Sequence, residues 1–284
     1  MKFAYHNCKK PTDADVILAG VADESGNYAE RSGTRKGPDA IRKASVEQLC
    51  FNRKGKRFCV GAERDSFKVK LFDAGNISRP ELQSFFESIP KEQIPILLGG
   101  DHSNTYLVLK GLSKKHKELA LIHLDAHPDM ISSTKYDFGS VVSDILKLKT
   151  INHKKVVQIG IRAIEPEEAI NLKREKISVF TALDVYEIGV KKVFSEVKKI
   201  IGNTPTYLTI DLDVLDPAFA PGVDTPAPFG LTGNEYLSLV KNIASLNIIG
   251  FDLMEVSPPF DSQQMTAQIA AQTIIEILAS RRKK

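Results

Sequence analysis

The chain has 284 residues, with 39 Lys and Arg against 35 Asp and Glu, and this length fits one large α/β domain. The net charge of +4 does not indicate a nucleic-acid-binding protein, and the sequence contains no apolar run long enough to span a membrane. The three cysteines, Cys8, Cys50 and Cys59, form no CxxC pair and are typical of reduced thiols. Because the N-terminus also lacks the apolar region of a signal peptide, the sequence predicts a cytoplasmic protein with no nucleic-acid or membrane partner.

Apolar runs alternate along the chain with segments that carry helix signals. Strands are predicted at residues 15–20, 69–72, 95–98, 119–124, 155–161, 177–180, 206–213 and 247–254, with a turn at 73–75. Helices are predicted from residue 38 onward and at 80–89, 104–116, 141–148, 166–176, 184–201, 232–246 and 265–282. Strands that alternate with helices in this way indicate a parallel sheet covered on both faces. The sequence therefore predicts a single doubly wound α/β domain over residues 1–284.

Potential metal ligands follow the apolar run at 119–124. Asp125, His127 and Asp129 occupy every second position after it, and on an extended chain this spacing points all three side chains in the same direction. Charged groups at the end of a buried strand are unfavourable unless they are paired or bound to a cation. This segment therefore favours a metal site.

Two other predicted strands end in a similar way. The strand that begins at residue 206 leads into Asp211, Asp213 and Asp216, and the run at 94–98 leads into Asp101 and His102. Each motif alone could instead be a surface turn or a helix cap. Because the carboxyl ends of parallel strands open into one crevice, the three endings together indicate a common site.

The candidate ligands combine four carboxylates and two imidazoles, namely His102, Asp125, His127, Asp129, Asp211 and Asp213. Carboxylates with a minority of histidines suit Mn²⁺ best, with zinc, cobalt and iron as alternatives. Six side chains exceed the need of one catalytic ion. Two ions about 3.5–4 Å apart, with shared carboxylates, use the set more economically.

Three motifs resemble those of the ureohydrolases, the binuclear manganese family of arginases, agmatinases and formiminoglutamases. They are GGDHS at 99–103, DAHPD at 125–129 and DLDVLDPAFAPGVDTPAP at 211–228. Segments 32–42 and 250–261 are also similar to that family. The resemblance implies an arginase-like fold with an eight-stranded parallel sheet flanked by helices, two Mn²⁺ per subunit, and a trimer or hexamer.

The resemblance also implies roles for individual residues. One ion would be held by His102, Asp125, Asp129 and Asp211, and the other by Asp125, His127, Asp211 and Asp213. A hydroxide bridging the ions would attack the guanidinium carbon, and Asp129 would carry a proton to the leaving nitrogen. Glu255 would accept the guanidinium through charge-assisted hydrogen bonds, although an ordinary acid at a strand end is the alternative. Asp252 on the same strand could equally be structural.

The side chains near these motifs favour agmatine, cleaved to putrescine and urea, as the small-molecule substrate. Ile131 lies where arginases read the α-carboxylate of arginine, and its side chain cannot donate a hydrogen bond. Glu165 lies where arginases place an acid near the substrate amine, although an acid at a helix N-terminus is the alternative. Arginine, formiminoglutamate and guanidino acids remain alternative substrates.

The sequence departs from the family at a histidine thought to shuttle protons. Phe138, or Val141 under a shifted alignment, stands at that position, and neither side chain transfers protons. In the third motif, Asp224 and Phe229 replace common glycines. These departures leave a metal-binding homologue with impaired catalysis as a second hypothesis. A histone-deacetylase-like zinc hydrolase, with one ion, is a third.

Overall fold

Eight strands of the described residues form one parallel sheet. The structure is a computed structural model that describes residues 1–47 and 69–281. The strands are β1 (Val16–Gly20), β2 (Leu71–Asn76), β3 (Ile94–Leu98), β4 (Leu119–Leu124), β5 (Ile151–Ile161), β6 (Ser178–Thr181), β7 (Thr206–Asp211) and β8 (Ile248–Met254). Their order is β2-β1-β3-β8-β7-β4-β5-β6, and each adjacent pair is parallel. The single domain with an eight-stranded parallel sheet is thus confirmed.

Helices cover both faces of this sheet. They are α1 (Gly37–Glu47), α2 (Leu82–Ser88), α3 (Asn104–Leu112), α4 (Val141–Leu146), α5 (Pro166–Glu175), α6 (Ala182–Ile188), α7 (Val190–Ile201), α8 (Gly233–Ile243) and α9 (Met265–Ser280). Apolar side chains of α1 and α6 to α9 pack on one face, and those of α2 to α5 pack on the other. None of the helices in this part of the chain is both long enough and apolar enough to cross a membrane.

The central strand β4 shows why its sequence is a continuous apolar run. All six of its residues are buried. Ala120 and Ile122 join the hydrophobic cluster on one face, whereas Leu119 and Leu121 join the cluster on the other. Because both faces of a parallel sheet are covered, such strands do not alternate between apolar and polar residues. The strand therefore delivers whatever follows it into a buried crevice.

Two predicted element boundaries are wrong. The helix predicted at 184–201 is two helices, because Gly189 has φ 80° and separates α6 from α7. The turn predicted at 73–75 lies inside β2. Cys8 is buried and free, whereas Cys50, Cys59 and the predicted end of the last helix at residue 282 lie outside the described residues.

A buried ion pair explains why β2 continues through Asp73. The Asp73 carboxylate receives two hydrogen bonds from Arg42, Nε to Oδ2 at 2.9 Å and Nη2 to Oδ1 at 3.0 Å. The side chains of Arg42 and Asp73 are 1% and 0% exposed. Burial opposes ionisation of Asp73, but the hydrogen bonds and charge of Arg42 outweigh it and lower the pKa of the carboxyl. The pair thus ties α1 to the edge of the sheet.

We expect the Asp73→Asn variant to lose about 3–5 kcal/mol of unfolding free energy at pH 7, because it leaves a buried guanidinium without a counter-charge. Since the folded pKa lies below 3.8, the usual value, this contribution is present above that pH and is lost as the pH falls through the folded pKa. Thermal unfolding of the variant and the wild type should therefore differ most at neutral pH. Asp39→Asn is the control, because Asp39 is 69% exposed and 3.5 Å from Arg42. An equal loss in both variants would contradict the expectation.

Candidate metal centre

The candidate ligands lie at the carboxyl ends of three central strands. Asp125 directly follows β4, Asp211 is the last residue of β7, and His102 lies in the turn after β3. These strands, with β8, occupy the middle of the sheet in the order β3-β8-β7-β4. The side chains therefore meet in the crevice expected for an open α/β sheet.

The first cluster surrounds the His102 ring. Its Nδ1 lies 3.2 Å from Asp125 Oδ2, 3.4 Å from Asp129 Oδ2 and 3.4 Å from Asp211 Oδ2. The other ring nitrogen, Nε2, is 2.7 Å from the hydroxyl of Thr209, which fixes the orientation of the ring. Three carboxylate oxygens thus surround one imidazole nitrogen, and the ligand atoms of His102, Asp125 and Asp129 also lie within 4.8 Å of one another.

A second cluster surrounds His127 and shares Asp125 with the first. His127 Nδ1 lies 2.9 Å from Asp213 Oδ2 and 3.5 Å from Asp125 Oδ1. The two oxygens of Asp125 therefore face different histidines, Oδ2 towards His102 and Oδ1 towards His127. The His127 side chain is 30% exposed and marks the open side of the crevice.

A cation fits this arrangement. His102 Nδ1, Asp125 Oδ2 and Asp129 Oδ2 are buried and have no hydrogen-bond partner in residues 1–47 and 69–281, a state that is costly unless another group binds them. Burial and the neighbouring carboxylates raise the pKa of Asp129 and Asp211 well above their usual range. Burial opposes a charge on His127, but Asp213 and Asp125 outweigh it and raise its pKa to about 12. The donors suit a divalent ion such as Mn²⁺.

The backbone at Asp129 is held in the left-handed region, with φ 52°. Its carbonyl accepts hydrogen bonds from Val142 and Ser143 at the start of α4. The next residue, Met130, donates its N–H to Glu168 (3.1 Å) and accepts from Asn171 Nδ2 (2.6 Å), both on α5. This strained backbone is thus fixed from two sides, which aims the Asp129 carboxylate at His102.

The third motif is held by Arg162, which follows β5. Its guanidinium donates to the carbonyls of Asp213 at 2.6 Å, Ala227 at 2.7 Å and Leu215 at 3.2 Å. A guanidinium can serve several carbonyls because it has five donors in a fixed plane. Sequence reasoning missed this residue, since its partners lie about 50–65 residues away along the chain.

Glu255, the predicted guanidinium-binding residue, follows β8 at the same edge of the sheet. It has φ 64°, is 2% exposed, and its Oε1 accepts the N–H of His102 at 2.6 Å. Burial raises its pKa well above the usual range, and Asp211, Asp101 and Asp224 raise it further. The carboxyl therefore lies beside the first cluster, and no residue in the described part of the chain forms an ion pair with it.

Other acids of the motifs have local partners. Asp101 accepts from the N–H groups of Gly26 and Ser103, and Asp216 accepts from those of Ala218 and Gly230. Asp252 is buried and accepts from the hydroxyls of Tyr207 and Thr105. Glu165 is exposed at the N-cap of α5, so its predicted contact with a substrate amine stays a prediction.

Two departures from the family pattern lie near the site. The Phe138 ring stacks on Tyr28, with the ring centroids 4.4 Å apart, and Val141 is buried at the start of α4. Asp224 is 4% exposed, accepts from Asn27 Nδ2 at 2.6 Å, and burial raises its pKa to about 6. The third, Phe229, is 88% exposed with φ 63°.

The structure adds His123, which sequence reasoning missed. His123 Nε2 lies 2.8 Å from Asp125 Oδ2 and 3.7 Å from Asp129 Oδ2, so His123 could itself hold an ion with these residues and His102. A signal was present, because His123 precedes Asp125, His127 and Asp129 at the same two-residue spacing. It was missed because it lies inside the apolar strand.

The hydrogen bonds of Gln158 favour a different role for His123. Gln158 Nε2 donates to the carbonyl of Pro128 at 2.7 Å and lies 3.2 Å from His123 Nδ1. Because a carbonyl only accepts, the amide nitrogen must face Pro128, and its second N–H points at His123. Nδ1 then accepts, so Nε2 carries the proton and faces Asp125 Oδ2 at 2.8 Å. His123 orients a candidate ligand in this state.

We expect His123→Phe, which keeps a ring but removes the donor, to raise the Kd for Mn²⁺ about 10- to 100-fold. Gln158→Leu should raise this Kd less. In that variant His123 can still donate from Nε2, but nothing at Nδ1 favours the tautomer that does so. Calorimetric titration of metal-free protein measures both. The control is His153→Phe, which removes a histidine at the start of β5 that contacts Glu175 and the carbonyl of Leu146. Unchanged affinity in His123→Phe would refute the orienting role.

Comparison with known proteins places this geometry in a family. The model of the arginase family matches residues 14–280. Proclavaminate amidinohydrolase from Streptomyces clavuligerus is 35% identical over 281 residues, which cover 95% of this chain and 88% of that protein. The agmatinase of Neisseria meningitidis serogroup C is 34% identical over 276 residues, which cover 93% and 86%. A solved structure of a hypothetical agmatinase from Burkholderia thailandensis has a TM-score of 0.86 at 31% identity, covering 96% of this chain and 87% of that one.

The chain belongs to the arginase family. It is a hydrolase of a family whose members act on small guanidino compounds, and its described residues include His and Asp groups that could hold metal ions. The predicted resemblance to the ureohydrolases is therefore confirmed. The identity of the metal, the substrate and the roles of single residues remain proposals.

Proposed function

We propose that the protein is a binuclear manganese hydrolase that cleaves the guanidinium group of agmatine to putrescine and urea. The observation that carries this proposal is the pair of clusters that share Asp125, with the buried Glu255 beside them. Shared carboxylates are typical of sites with two ions. The similarity to an agmatinase supports the choice of reaction.

His102, Asp125, Asp129 and Asp211 would hold one ion, and Asp125, His127, Asp211 and Asp213 the other. The first set is supported by the distances of 3.2 to 3.4 Å from His102 Nδ1 to three carboxylate oxygens. The contacts of His127 with Asp213 and Asp125 support the second. Two bound ions would supply a nucleophile near neutral pH by lowering the pKa of water.

The chain itself would bind the guanidinium and move a proton. Glu255 would accept the guanidinium N–H groups, since a carboxylate and a guanidinium form paired, charge-assisted hydrogen bonds. Asp129, whose Oδ2 is buried and unpartnered, would pass a proton to the leaving nitrogen. The leaving nitrogen carries the four-carbon tail of agmatine, so the amine that is released would be putrescine and the remaining product would be urea.

Two side chains support agmatine over arginine. Ile131 offers no hydrogen bond to an α-carboxylate, and Glu165 at the start of α5 would face the free amine. Other guanidino substrates, including arginine, formiminoglutamate and guanidino acids, are the alternatives. The similarity to a proclavaminate amidinohydrolase supports these alternatives.

A second candidate is a metal-binding homologue with impaired catalysis. The observation in its favour is Phe138, which stacks on Tyr28 where the family usually has a proton-transferring histidine. Loss of one acid–base group typically slows a reaction about 10²- to 10⁴-fold. This candidate predicts normal metal binding with little or no turnover.

Urea release tests the proposal. Protein preincubated with Mn²⁺ is offered agmatine and arginine in parallel, and bound manganese per chain is measured in the same samples. Urea from agmatine alone would support the agmatinase proposal. No urea from either compound, with two ions bound, would contradict it and favour the second candidate. One ion per chain would contradict the binuclear site and favour a mononuclear hydrolase.

We also propose that the protein acts in the cytoplasm as a trimer or hexamer. Large apolar side chains are exposed on α5 and α6, namely Ile170, Leu183 and Tyr186. Their burial between subunits would be favourable. Light scattering of the purified protein would measure the number of chains, and a monomer would contradict the proposal.

A further inference from the structure

The loop between β1 and α1 contacts two departures from the family pattern, the half-buried Phe138 and the buried Asp224. The carbonyl of Gly26 accepts the N–H of Phe138 at 3.2 Å, and Asn27 donates to Asp224 at 2.6 Å. The N–H of Gly26 also donates to Asp101 at 2.8 Å, beside the candidate ligand His102. This loop therefore forms a wall next to the candidate metal centre.

Tyr28 is the residue of this loop that reaches across the Phe138 position. The two rings stack with centroids 4.4 Å apart and an interplanar angle of 23°. A side chain at Gly139 would collide with the Tyr28 hydroxyl and would lie 3.5 Å from Ile131 Cδ1. Tyr28, Ile131 and Phe138 thus lie together, and we call them the aromatic wall. Tyr28 is 62% exposed, so this wall is open to a ligand.

The surroundings of the aromatic wall are acidic. Asp137 Oδ2 accepts from Ser133 Oγ at 2.6 Å, whereas Asp137 Oδ1 is buried and has no hydrogen-bond partner among the described residues. Burial raises the pKa of Tyr28 to about 12, and Asp137, Asp129, Glu165 and Glu168 raise it in the same direction. A positively charged group would be stabilised here, and a carboxylate would be repelled.

We propose that the aromatic wall and Asp137 form the subsite for the tail of the substrate, and that this subsite binds a protonated amine. The inference rests on the proposed function, because it takes the substrate to be a guanidine with a tail. A cation within about 6 Å of an aromatic face is attracted by the ring. The unpartnered oxygen of Asp137 can accept an ammonium N–H. The subsite therefore selects diamine-derived guanidines over guanidino acids.

The tail can be tested without the guanidinium. Calorimetric titration of the Mn²⁺-loaded protein with 1,4-diaminobutane and with 4-aminobutyrate compares two four-carbon amines that differ at one end. We expect binding of the diamine and at least about tenfold weaker binding of the amino acid, because two like charges placed close together disfavour the wrong partner. The ratio of kcat/KM for agmatine to that for 4-guanidinobutyrate should favour agmatine in the same way.

Variants of the aromatic wall identify the residue responsible. Tyr28→Ala should weaken diamine binding about 2- to 30-fold, the range of a cation–π contact. It should also raise KM for agmatine with little change in kcat. Tyr28→Phe, which keeps the ring, should retain most of the affinity, and Asp137→Asn should lose it. The control is Tyr186→Ala, which removes an exposed tyrosine of α6 and is compared with the wild type only where both have the same number of chains in solution.

Several results would overturn the subsite. They are no binding of the diamine to the wild type, equal binding of both amines, or wild-type affinity in Tyr28→Ala. The proposed function fails separately. If agmatine yields no urea but diamine binding still depends on Tyr28, the subsite stands and the reaction is wrong. If agmatine and 4-guanidinobutyrate are hydrolysed equally in wild type and Tyr28→Ala, the reaction stands and the subsite is wrong.

Discussion

Removal of divalent ions should lower the melting temperature of this protein by roughly 8–16 °C, relative to protein with Mn²⁺ at about a thousand times its Kd. The physical reason is that buried atoms of His102, Asp125 and Asp129 have no hydrogen-bond partner among the described residues, so that a bound ion would stabilise the folded state. Ligand at a thousand times its Kd stabilises the folded state by about 4 kcal/mol, and in a chain of this size each kcal/mol shifts the midpoint by about 2–4 °C. Thermal unfolding in chelator and in Mn²⁺ measures the difference.

Two variants make this expectation specific. Asp125→Asn should abolish most of the shift, because the two oxygens of Asp125 face different clusters. Asp216→Asn should keep the shift, since within the described residues the Asp216 carboxylate accepts backbone N–H groups of its own loop. Equal midpoints in chelator and in Mn²⁺, or a full shift in Asp125→Asn, would show that these residues do not hold the ions.

Glu255→Gln should lower kcat/KM for the guanidino substrate about 30- to 5000-fold, while the response to Mn²⁺ stays close to that of the wild type. The amide oxygen of glutamine can still accept the N–H of His102, which Glu255 accepts at 2.6 Å. The variant therefore keeps the local structure and removes only the charge. Loss of one partner of a buried charge pair costs about 2–5 kcal/mol, which corresponds to this range of rates.

The kinetic constants of Glu255→Gln are measured by urea release, with Asp261→Asn as the control. Asp261 lies in the loop that follows and accepts the N–H groups of Thr266 and Ala267 at the start of α9. Asp261→Asn should therefore alter stability more than turnover. A Glu255→Gln variant with wild-type kcat/KM would exclude Glu255 as the residue that binds the guanidinium.

The positions of the ligands could be predicted from the sequence because they follow from strand geometry. Residues at every second position share a face, and the carboxyl ends of parallel strands meet at one edge. This spacing identified Asp125, His127 and Asp129 after one strand and Asp211 and Asp213 at the end of another. The chain nevertheless turns in both segments, because Asp129 has φ 52° and Asp213 lies in the 3-10 helix Leu212–Val214. The structure places Asp125, Asp129 and Asp211 3.2 to 3.4 Å from His102 Nδ1, and Asp213 and Asp125 2.9 and 3.5 Å from His127 Nδ1.

Contacts between distant segments could not be predicted in this way. Asp73 and Gly75 are typical turn residues, but the buried pair of Asp73 with Arg42 keeps β2 extended. The stacking of Tyr28 on Phe138 and the hydrogen bond of Asn27 to Asp224 join residues more than 100 positions apart. Periodicity contains no information about such pairs. Hence the residues that form the aromatic wall could be identified only from the structure.

The division between strand ends and loops has a consequence for how this protein could change. The candidate metal ligands are fixed by the middle of the sheet, in the order β3-β8-β7-β4, and by strained backbone at Asp129. The aromatic wall, in contrast, comes from connecting loops. Loops tolerate substitution and insertion far better than packed strands. Under the proposed function, substrate range could therefore evolve, or be redesigned by exchange of the β1–α1 loop, while the candidate metal ligands and their positions are inherited unchanged.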